Sequence, residues 1–314
     1  GHARMIPGNS HIMKLFSPKM LFRHYIKGKY DVIVSYLEGP SARIVSGCPD
    51  DGTKLVSWIH IEQHNMKKAA SSFRSPSEAM RCYERFDRTI CVAQSVAADF
   101  QSIFSLTPPP EVLYNTVESD VILAKAAEQI EPEIFCKEEL KLVGVGKLVQ
   151  SKGFDRLLRI HKRLLTEEHL PIHTYLLGEG GERKHLEQWI QENNLQRSVT
   201  LLGYHTNPYK YVAACDLFVC ASHAEGFSTA ATEALIVGTP VITTRVSGME
   251  EMLGANGEYG IITENDEEAL YQGIRDMLTT PGKLEAYRAR ARERGGDFCT
   301  ERTVAAVEEM LERL

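Results

Sequence analysis

Two acidic residues, Glu225 and Glu233, frame a stretch of this 314-residue chain whose residue types suit the binding of a phosphorylated ligand. Between them, Gly226 permits a close approach of the backbone, and Ser228 is a residue type that caps the start of a helix. The amide groups at such a helix start bind anions, including a diphosphate. Carboxylates accept hydrogen bonds from hydroxyl pairs, so the stretch predicts a site for a diphosphate and for hydroxyl groups.

The same two acids also have a structural explanation, because the helix dipole stabilises carboxylates near a helix N-terminus whatever their role. A second stretch favours the binding interpretation. It runs from Gly144 through Lys147 to Lys152-Gly153 and predicts a strand, a turn with two lysines and a helix. Both ammonium groups can neutralise a diphosphate, although lysines in a solvated turn need no ligand.

The elements that must position these residues form a regular series. From about residue 140 onward, short apolar runs alternate with amphipathic stretches, which is typical of a parallel sheet covered by helices on both faces. The lysine turn and the acidic stretch then follow two strands of one domain, at the edge where open parallel sheets bind ligands. Asn265, with Glu268 three residues later, has the spacing of a helix-capping pair. The predicted strands are residues 140–146, 172–177, 198–202, 216–220, 240–244 and 259–263.

The front part of the chain shows the same pattern over fewer elements. Four strands are about half of a Rossmann-like domain and leave a sheet edge unprotected, so we expect a leading segment to be absent. Residues 115–139 lack a clear apolar period and are interpreted as a linker, whereas residues 300–314 have one apolar face and predict a docked helix. The predicted front elements are strands at residues 30–36, 54–60, 89–93 and 112–114, and helices near residues 75–86 and 95–103.

Composition narrows the class of protein. The formal charge of -6 at pH 7 argues against a dedicated nucleic-acid binder. Residues 1–36 are locally basic, and they are interpreted either as a solvated face or as a surface that approaches an anionic partner. No run approaches the roughly 18 apolar residues of a membrane span, so a cytoplasmic protein, peripheral to a membrane at most, is predicted.

The acidic stretch and the lysine turn together resemble glycosyltransferase family 4, with its E-x7-E motif and its lysine-glycine turn. The similarity covers nearly all of residues 140–314 and, more weakly, residues 29–115. It implies an α/β fold of two Rossmann-like domains facing each other (GT-B), with the N-terminal domain incomplete. The implied divisions are residues 1–125 as a partial acceptor-side domain, residues 126–299 as the nucleotide-sugar-binding domain, and residues 300–314 as a helix packing back toward the N-terminal domain.

The resemblance also implies a role for each motif residue. Glu233 would bind the nucleotide ribose and Glu225 the donor sugar, while Lys147 and Lys152 would hold the diphosphate. Family members more often have arginine at the position of Lys147, so a somewhat different diphosphate clamp is expected. The substrate would also meet the residues at the helix start, which are Gly226, Phe227, Ser228 and Thr229.

Two turns match the places where members of the family seat the nucleotide base. They are Gly178-Glu179-Gly180 and Gly203-Tyr204-His205, although glycine in a loop needs no ligand to explain it. The glycine-rich loop that normally follows the first strand of the front domain is not visible upstream. Its absence puts acceptor binding in doubt.

A histidine in the front domain completes the implied site. The stretch Val56–His60 resembles the strand whose terminal histidine faces the donor sugar. A lone histidine at the end of a strand is otherwise often structural. Through the resemblance, Glu225, His60 and Lys152 are the predicted catalytic residues.

The implied activity is transfer of a hexose-type sugar, with retained configuration, from a nucleoside diphosphate sugar to an acceptor hydroxyl. UDP is the expected nucleotide and GDP the alternative, and neither a metal nor another cofactor is expected. The acceptor would be a glycan or a lipid-linked glycan of the cell surface. Two alternatives remain open: a nucleotide-sugar-binding subunit or truncated transferase without activity of its own, and a nucleotide-sugar epimerase of the same fold.

Overall fold

The computed structural model of the chain describes residues 13–131, 135, 139–225 and 227–314. These residues form two compact units. The first contains the described residues up to Asn115 together with Ala305–Leu314, and the second is Thr116–Val304. Within the described ranges, no helix is both long enough and apolar enough to pass through a bilayer.

The first unit is built on a parallel sheet of short strands in the order β1 (Val32–Ser35), β2 (Lys54–Ile59), β3 (Arg88–Cys91) and β4 (Glu111–Val112). The central strand β2 is buried over almost its whole length, as expected for a parallel sheet with both faces covered. All four strands lie where the apolar runs predicted them. The helices of this unit are α1 (Pro18–Tyr25), α2 (Pro40–Val45), α3 (Met66–Ala69), α4 (Pro76–Tyr83) and α5 (Gln94–Phe104).

The second unit contains a larger parallel sheet whose strands lie in the order β10 (Ile261–Thr263), β9 (Val241–Thr244), β8 (Leu217–Cys220), β5 (Leu140–Val145), β6 (Ile172–Leu177) and β7 (Val199–Gly203). Strands β5 to β7 extend the sheet in one direction and strands β8 to β10 extend it in the other, so the strand order switches between β5 and β8. The loops that follow these two parallel strands are therefore neighbours at the carboxyl edge of the sheet. Such a switch point is where open α/β sheets bind ligands. The six strands predicted for this part of the chain are confirmed as β5 to β10.

Helices cover the second sheet and complete its core. The apolar face of the helix after β5 is buried, since Leu157, Leu158 and Leu164 are each 0% exposed. The helices of this unit are α6 (Ser119–Ala126), α7 (Phe154–Thr166), α8 (Arg183–Glu192), α9 (Tyr209–Ala213), α10 (Thr229–Ile236), α11 (Met249–Leu253), α12 (Glu267–Thr279) and α13 (Lys283–Gly295), and the chain ends with α14 (Thr300–Glu312).

Two predictions about local structure are wrong. The expected linker contains helix α6, whose apolar residues Val121, Ile122 and Leu123 are consecutive and therefore give no helical period in the sequence. The expected capping pair at Asn265 does not cap α12. The side chain of Asp266 does so, accepting a hydrogen bond from the Ala269 amide at 2.8 Å.

A histidine lies inside the core of the second unit. His161 on α7 is 0% exposed. Its Nδ1 is 2.8 Å from Thr174 Oγ1, and its Nε2 is 2.9 Å from Ser198 Oγ. Burial lowers the pKa of His161 to about 3, so the ring is neutral at physiological pH.

Candidate functional site

The loop that follows β8 carries Glu225, and a lysine from the loop after β5 meets it there. Lys152 Nζ donates to Glu225 Oε1, and Ser222 Oγ donates to the same oxygen at 2.8 Å. The Glu225 side chain is 12% exposed and that of Lys152 is 26% exposed, so the ion pair is largely shielded from water. The two strands beside the switch point thus bring together two of the predicted catalytic residues.

Gly153 explains how Lys152 reaches this position. Its φ of 64° lies in the left-handed region, where glycine is favoured. A Cβ atom at Gly153 would lie 2.0 Å from the Ala221 carbonyl oxygen, which is too close for any side chain. The lysine-glycine pair therefore lets the turn after β5 touch the loop after β8.

The helix start predicted at Ser228 is present. Ser228 caps α10 and accepts a hydrogen bond from the Ala231 amide at 3.4 Å. Thr229 is the exposed first residue of α10, and the ring of the half-buried Phe227 lies 6.1 Å from that of Phe298. Gly226, another predicted binding residue, lies outside the described residues.

Glu233 lies in the second turn of α10 and is mostly buried. Burial raises the pKa of its carboxyl group, because the charged form loses solvation. The Tyr209 hydroxyl, at the start of α9, donates to Glu233 Oε1 at 3.4 Å and opposes this rise in the pKa. The contact of Tyr209 with Glu233 joins α9 to α10, so no local pattern in the sequence indicates it.

An open cavity of about 450 Å³ lies at the carboxyl ends of β5, β6 and β7. Three of the predicted binding residues line it: Lys147, Gly178 and Tyr204. Gly203 ends β7, and its carbonyl oxygen accepts a hydrogen bond from the Gly178 amide at 2.8 Å. The cavity is also lined by Val145, Gly146, Leu177, Glu179, His205 and Pro208.

Backbone packing explains the glycines beside this cavity. A Cβ atom at Gly178 would lie 1.9 Å from the Gly146 carbonyl oxygen, and one at Gly180 would lie 2.2 Å from the Leu148 carbonyl oxygen. The turns after β5 and β6 therefore pack main chain against main chain. Only glycine allows this contact, so backbone packing explains Gly178 and Gly180 independently of the predicted contact with a nucleotide base.

His60 belongs to the first unit and follows β2. Its amide donates to Glu38 Oε2 at 3.1 Å, and its ring centroid lies 4.8 Å from that of Tyr36. Its Nε2 is buried and has no hydrogen-bond partner among the described residues. Buried polar atoms usually have a partner, so this nitrogen suits a ligand group, and the catalytic role of His60 remains a prediction.

Comparison with solved structures defines the fold of the chain. HepE from Anabaena, in complex with UDP and glucose, matches with a TM-score of 0.75 and 19% identity, over 98% of this chain and 84% of that chain. A sucrose-phosphate synthase from Thermosynechococcus elongatus matches with a TM-score of 0.77 and 20% identity, over 100% and 81% of the two chains. At these identities the similarity shows the fold alone, and it is the predicted GT-B fold.

Comparison at the level of sequence defines the family. The family model for glycosyl transferases group 1 matches residues 126–294. A transferase from Campylobacter jejuni, an N-acetylgalactosamine-N,N'-diacetylbacillosaminyl-diphospho-undecaprenol 4-alpha-N-acetylgalactosaminyltransferase, is 35% identical over 69% of this chain. The chain belongs to this family of glycosyl transferases, which confirms the resemblance seen in the two motifs. It spans 57% of the length of the Campylobacter relative.

Proposed function

We propose that the chain acts in a retaining glycosyltransferase that moves a hexose-type sugar from a UDP-sugar to an acceptor hydroxyl of a cell-surface or lipid-linked glycan. The observation that supports this most directly is the shielded Lys152–Glu225 pair, which lies at the switch point of the second sheet. A shielded carboxylate next to an ammonium group suits a ligand with both hydroxyl and phosphate groups.

In this proposal each part of the site has one task. Lys147, Lys152 and the amides at the start of α10 stabilise the negative charge that develops on the leaving diphosphate, so no metal is needed. Glu225 binds hydroxyls of the donor sugar, and Glu233 binds the ribose diol. The base occupies the cavity beside Tyr204, and the leaving phosphate accepts the proton of the acceptor hydroxyl.

The choice of UDP and of a lipid-linked acceptor is supported by relatives. HepE is named in complex with UDP, and the Campylobacter relative is named as acting on a diphospho-undecaprenol glycan. Transfer of these properties to this chain is part of the proposal.

The test is the release of nucleoside diphosphate from a panel of UDP-glucose, UDP-galactose, UDP-N-acetylglucosamine, UDP-N-acetylgalactosamine and GDP-mannose, with and without a polyprenyl-diphosphate-linked sugar. Glu225→Gln should lower the release rate about 10-fold or more, because hydrogen bonds to a charged group contribute about 1.5–3 kcal/mol. Glu285→Gln is the matched control, since the Glu285 side chain is 81% exposed on α13.

Each outcome of this assay favours one function. Release that needs Glu225 supports the transferase, and an anomeric analysis of the product decides between retention and inversion. UDP binding without release supports a nucleotide-sugar-binding subunit. Formation of an isomeric donor supports an epimerase. If none of the nucleotides binds, the proposal is wrong.

The proposed lipid-linked acceptor is compatible with an exposed apolar surface on residues 13–30 of the first unit. Arg43 holds the start of this segment by donating to the carbonyl oxygens of Met13 and Phe16, each at 2.8 Å. Phe16 and Met20 line a cavity of about 300 Å³ with apolar neighbours. The exposed apolar side chains of residues 13–30 are Leu15, Phe16, Met20, Tyr25 and Tyr30.

The same surface is basic, because residues 13–30 contain five lysine or arginine residues and no acidic residue. Exposed apolar side chains beside cations are typical of segments that lie in a membrane interface. Each cation near an anionic leaflet contributes about 1 kcal/mol of attraction. We therefore propose an anionic bilayer as the partner of this surface, whose cations are Lys14, Lys19, Arg23, Lys27 and Lys29.

Co-sedimentation with vesicles tests the membrane proposal. The chain should bind vesicles of phosphatidylglycerol and phosphatidylcholine, should bind those of phosphatidylcholine weakly, and should be released by salt. The double variant Lys19→Glu and Arg23→Glu should lose binding. Lys184→Glu, which reverses an exposed cation of α8, should keep it. Equal binding by both variants would contradict the proposal.

A further inference from the structure

A buried arginine holds the loop that joins β8 to Glu225, residues 221–225. The guanidinium of Arg156, on the first turn of α7, donates through Nη2 to the Ala221 carbonyl oxygen. Through Nη1 it donates to Asn265 Oδ1 at 3.1 Å. Asn265 Nδ2 in turn donates to the His223 carbonyl oxygen at 2.9 Å. Arg156 and Asn265 therefore fix two carbonyl groups of the loop, one on each side of Ser222.

Other contacts hold the remaining part of the same loop. Thr244 Oγ1, at the end of β9, donates to the Ser222 carbonyl oxygen at 2.6 Å. The His223 amide donates to the Ser151 carbonyl oxygen at 2.8 Å. Ser222 Oγ then donates to Glu225 Oε1 at 2.8 Å. A displacement of this backbone therefore displaces the Glu225 carboxylate as well.

The burial of Arg156 carries a desolvation penalty that an apolar side chain would not have. Arg156 is 2% exposed, and its Nε has no hydrogen-bond partner among the described residues. A buried charge is often less stabilising than an apolar side chain of similar volume. Packing alone therefore does not account for a guanidinium here. Arg159, one turn further along α7, is by contrast 42% exposed and pairs with Asp155 and Glu267.

We infer that Arg156 is a positioning residue for Glu225: it fixes the 221–225 loop and so sets the direction from which the carboxylate meets the donor sugar. The inference rests on the proposed function, in which Glu225 contacts that sugar. A carboxylate that is displaced by a fraction of an ångström loses transition-state contacts, whereas the loop remains folded.

The nucleotide part of the donor provides an internal reference. In the proposed function it is bound by Lys147, Lys152 and the amides at the start of α10, by Glu233 and by the cavity next to Tyr204, and none of these groups belongs to the 221–225 loop itself. Loss of the Arg156 guanidinium should therefore weaken steps that depend on the sugar and leave the binding of UDP nearly unchanged. A general loss of structure would weaken both.

The experiment compares Arg156→Met with Arg159→Met in the whole chain. The rate of UDP release from UDP-glucose and UDP-N-acetylgalactosamine should fall about 10-fold or more in Arg156→Met, the range expected when a hydrogen-bonded charged group is removed. Arg159→Met should stay within about 2-fold of wild type, as expected for exposed ion pairs. The dissociation constant of UDP should change less than about 3-fold in both variants.

A double variant tests whether Arg156 acts through Glu225. If it does, Arg156→Met should have little further effect on the release rate in the Glu225→Gln background, because coupled residues are not additive. Additive effects would overturn the inference. So would an unchanged release rate in Arg156→Met, or a loss of UDP affinity that parallels the loss of rate.

Asn265→Ala keeps the test decisive if Arg156→Met does not fold, because it removes the bond to the His223 carbonyl group and one partner of the guanidinium. The same division between sugar-dependent rate and UDP affinity is expected. If the wild-type chain neither binds nor hydrolyses these nucleotides, the proposed function is what fails. The positioning role is then decided by amide hydrogen exchange over residues 221–225, which should be faster in Arg156→Met than in Arg159→Met.

Discussion

His161 should make the stability of the second unit sensitive to acid. In the folded protein burial lowers its pKa to about 3, whereas an unfolded histidine has a pKa of about 6.5. The neutral ring therefore contributes stability that is complete above the unfolded pKa. This contribution is lost as the pH falls from about 6.5 toward the folded pKa, because the unfolded chain takes up the proton first.

The expected loss can be worked out from these two pKa values. Between about pH 7.5 and pH 5 the unfolded histidine becomes almost fully protonated while the folded one stays neutral, which costs about 2 kcal/mol. The figure depends little on the folded pKa as long as it lies well below 5. A non-titrating variant, His161→Asn, should not show this component.

Urea unfolding of the second unit measures the difference. Each unit contains one of the two tryptophans, Trp58 in the first and Trp189 in the second, so Trp58→Phe makes the fluorescence specific for the second unit. In that background, wild type should lose about 2 kcal/mol more than His161→Asn between the two pH values. The pKa of His173 is also lowered by burial, but this residue is present in both proteins and cancels in the difference. Equal pH dependence in the two proteins would refute the reasoning.

Three further outcomes are expected from the candidate site. Lys147→Ala and Lys152→Ala should each weaken UDP about 10-fold while weakening uridine little, as measured by calorimetry, because their charge is proposed to meet the diphosphate. UDP affinity should fall with decreasing pH as Glu233, whose pKa is raised by burial, takes up a proton, and Glu233→Gln should remove this dependence. Gly178→Ala should lower the melting temperature and UDP affinity because its Cβ would strike the main chain, whereas Gly181→Ala, with open space around it, should change neither.

The features that the sequence predicts correctly are those with local signals. The strands of both sheets appear as apolar runs between turn residues, and the start of α10 is marked by Ser228 as its cap. The lysine-glycine turn is equally local, because Gly153 must adopt a left-handed backbone to let Lys152 face the loop after β8. The meeting of Lys152 with Glu225 then follows from the position of β5 beside β8.

The features that the sequence does not reveal depend on partners that are distant in the chain. Arg156 contacts a carbonyl group 65 residues away and an asparagine 109 residues away. Nothing near it in the sequence distinguishes it from the exposed Arg159. The spacing of Asn265 to Glu268 predicts a helix cap, yet the Asn265 side chain bonds instead to Arg156 and to the His223 carbonyl group. The roles of these two side chains are set by tertiary contacts, which no local sequence pattern indicates.

The main-chain contact between the turns after β5 and β6 divides the cavity into a part that resists mutation and a part that tolerates it. At Gly178 and Gly180 a methyl group would collide with the backbone, so these positions are closed to variation. Tyr204 is 73% exposed and has no such constraint. The proposed nucleotide preference of this chain is therefore best altered by substitutions at Tyr204 and its exposed neighbours, which can change the shape of the cavity without disturbing the fold beneath it.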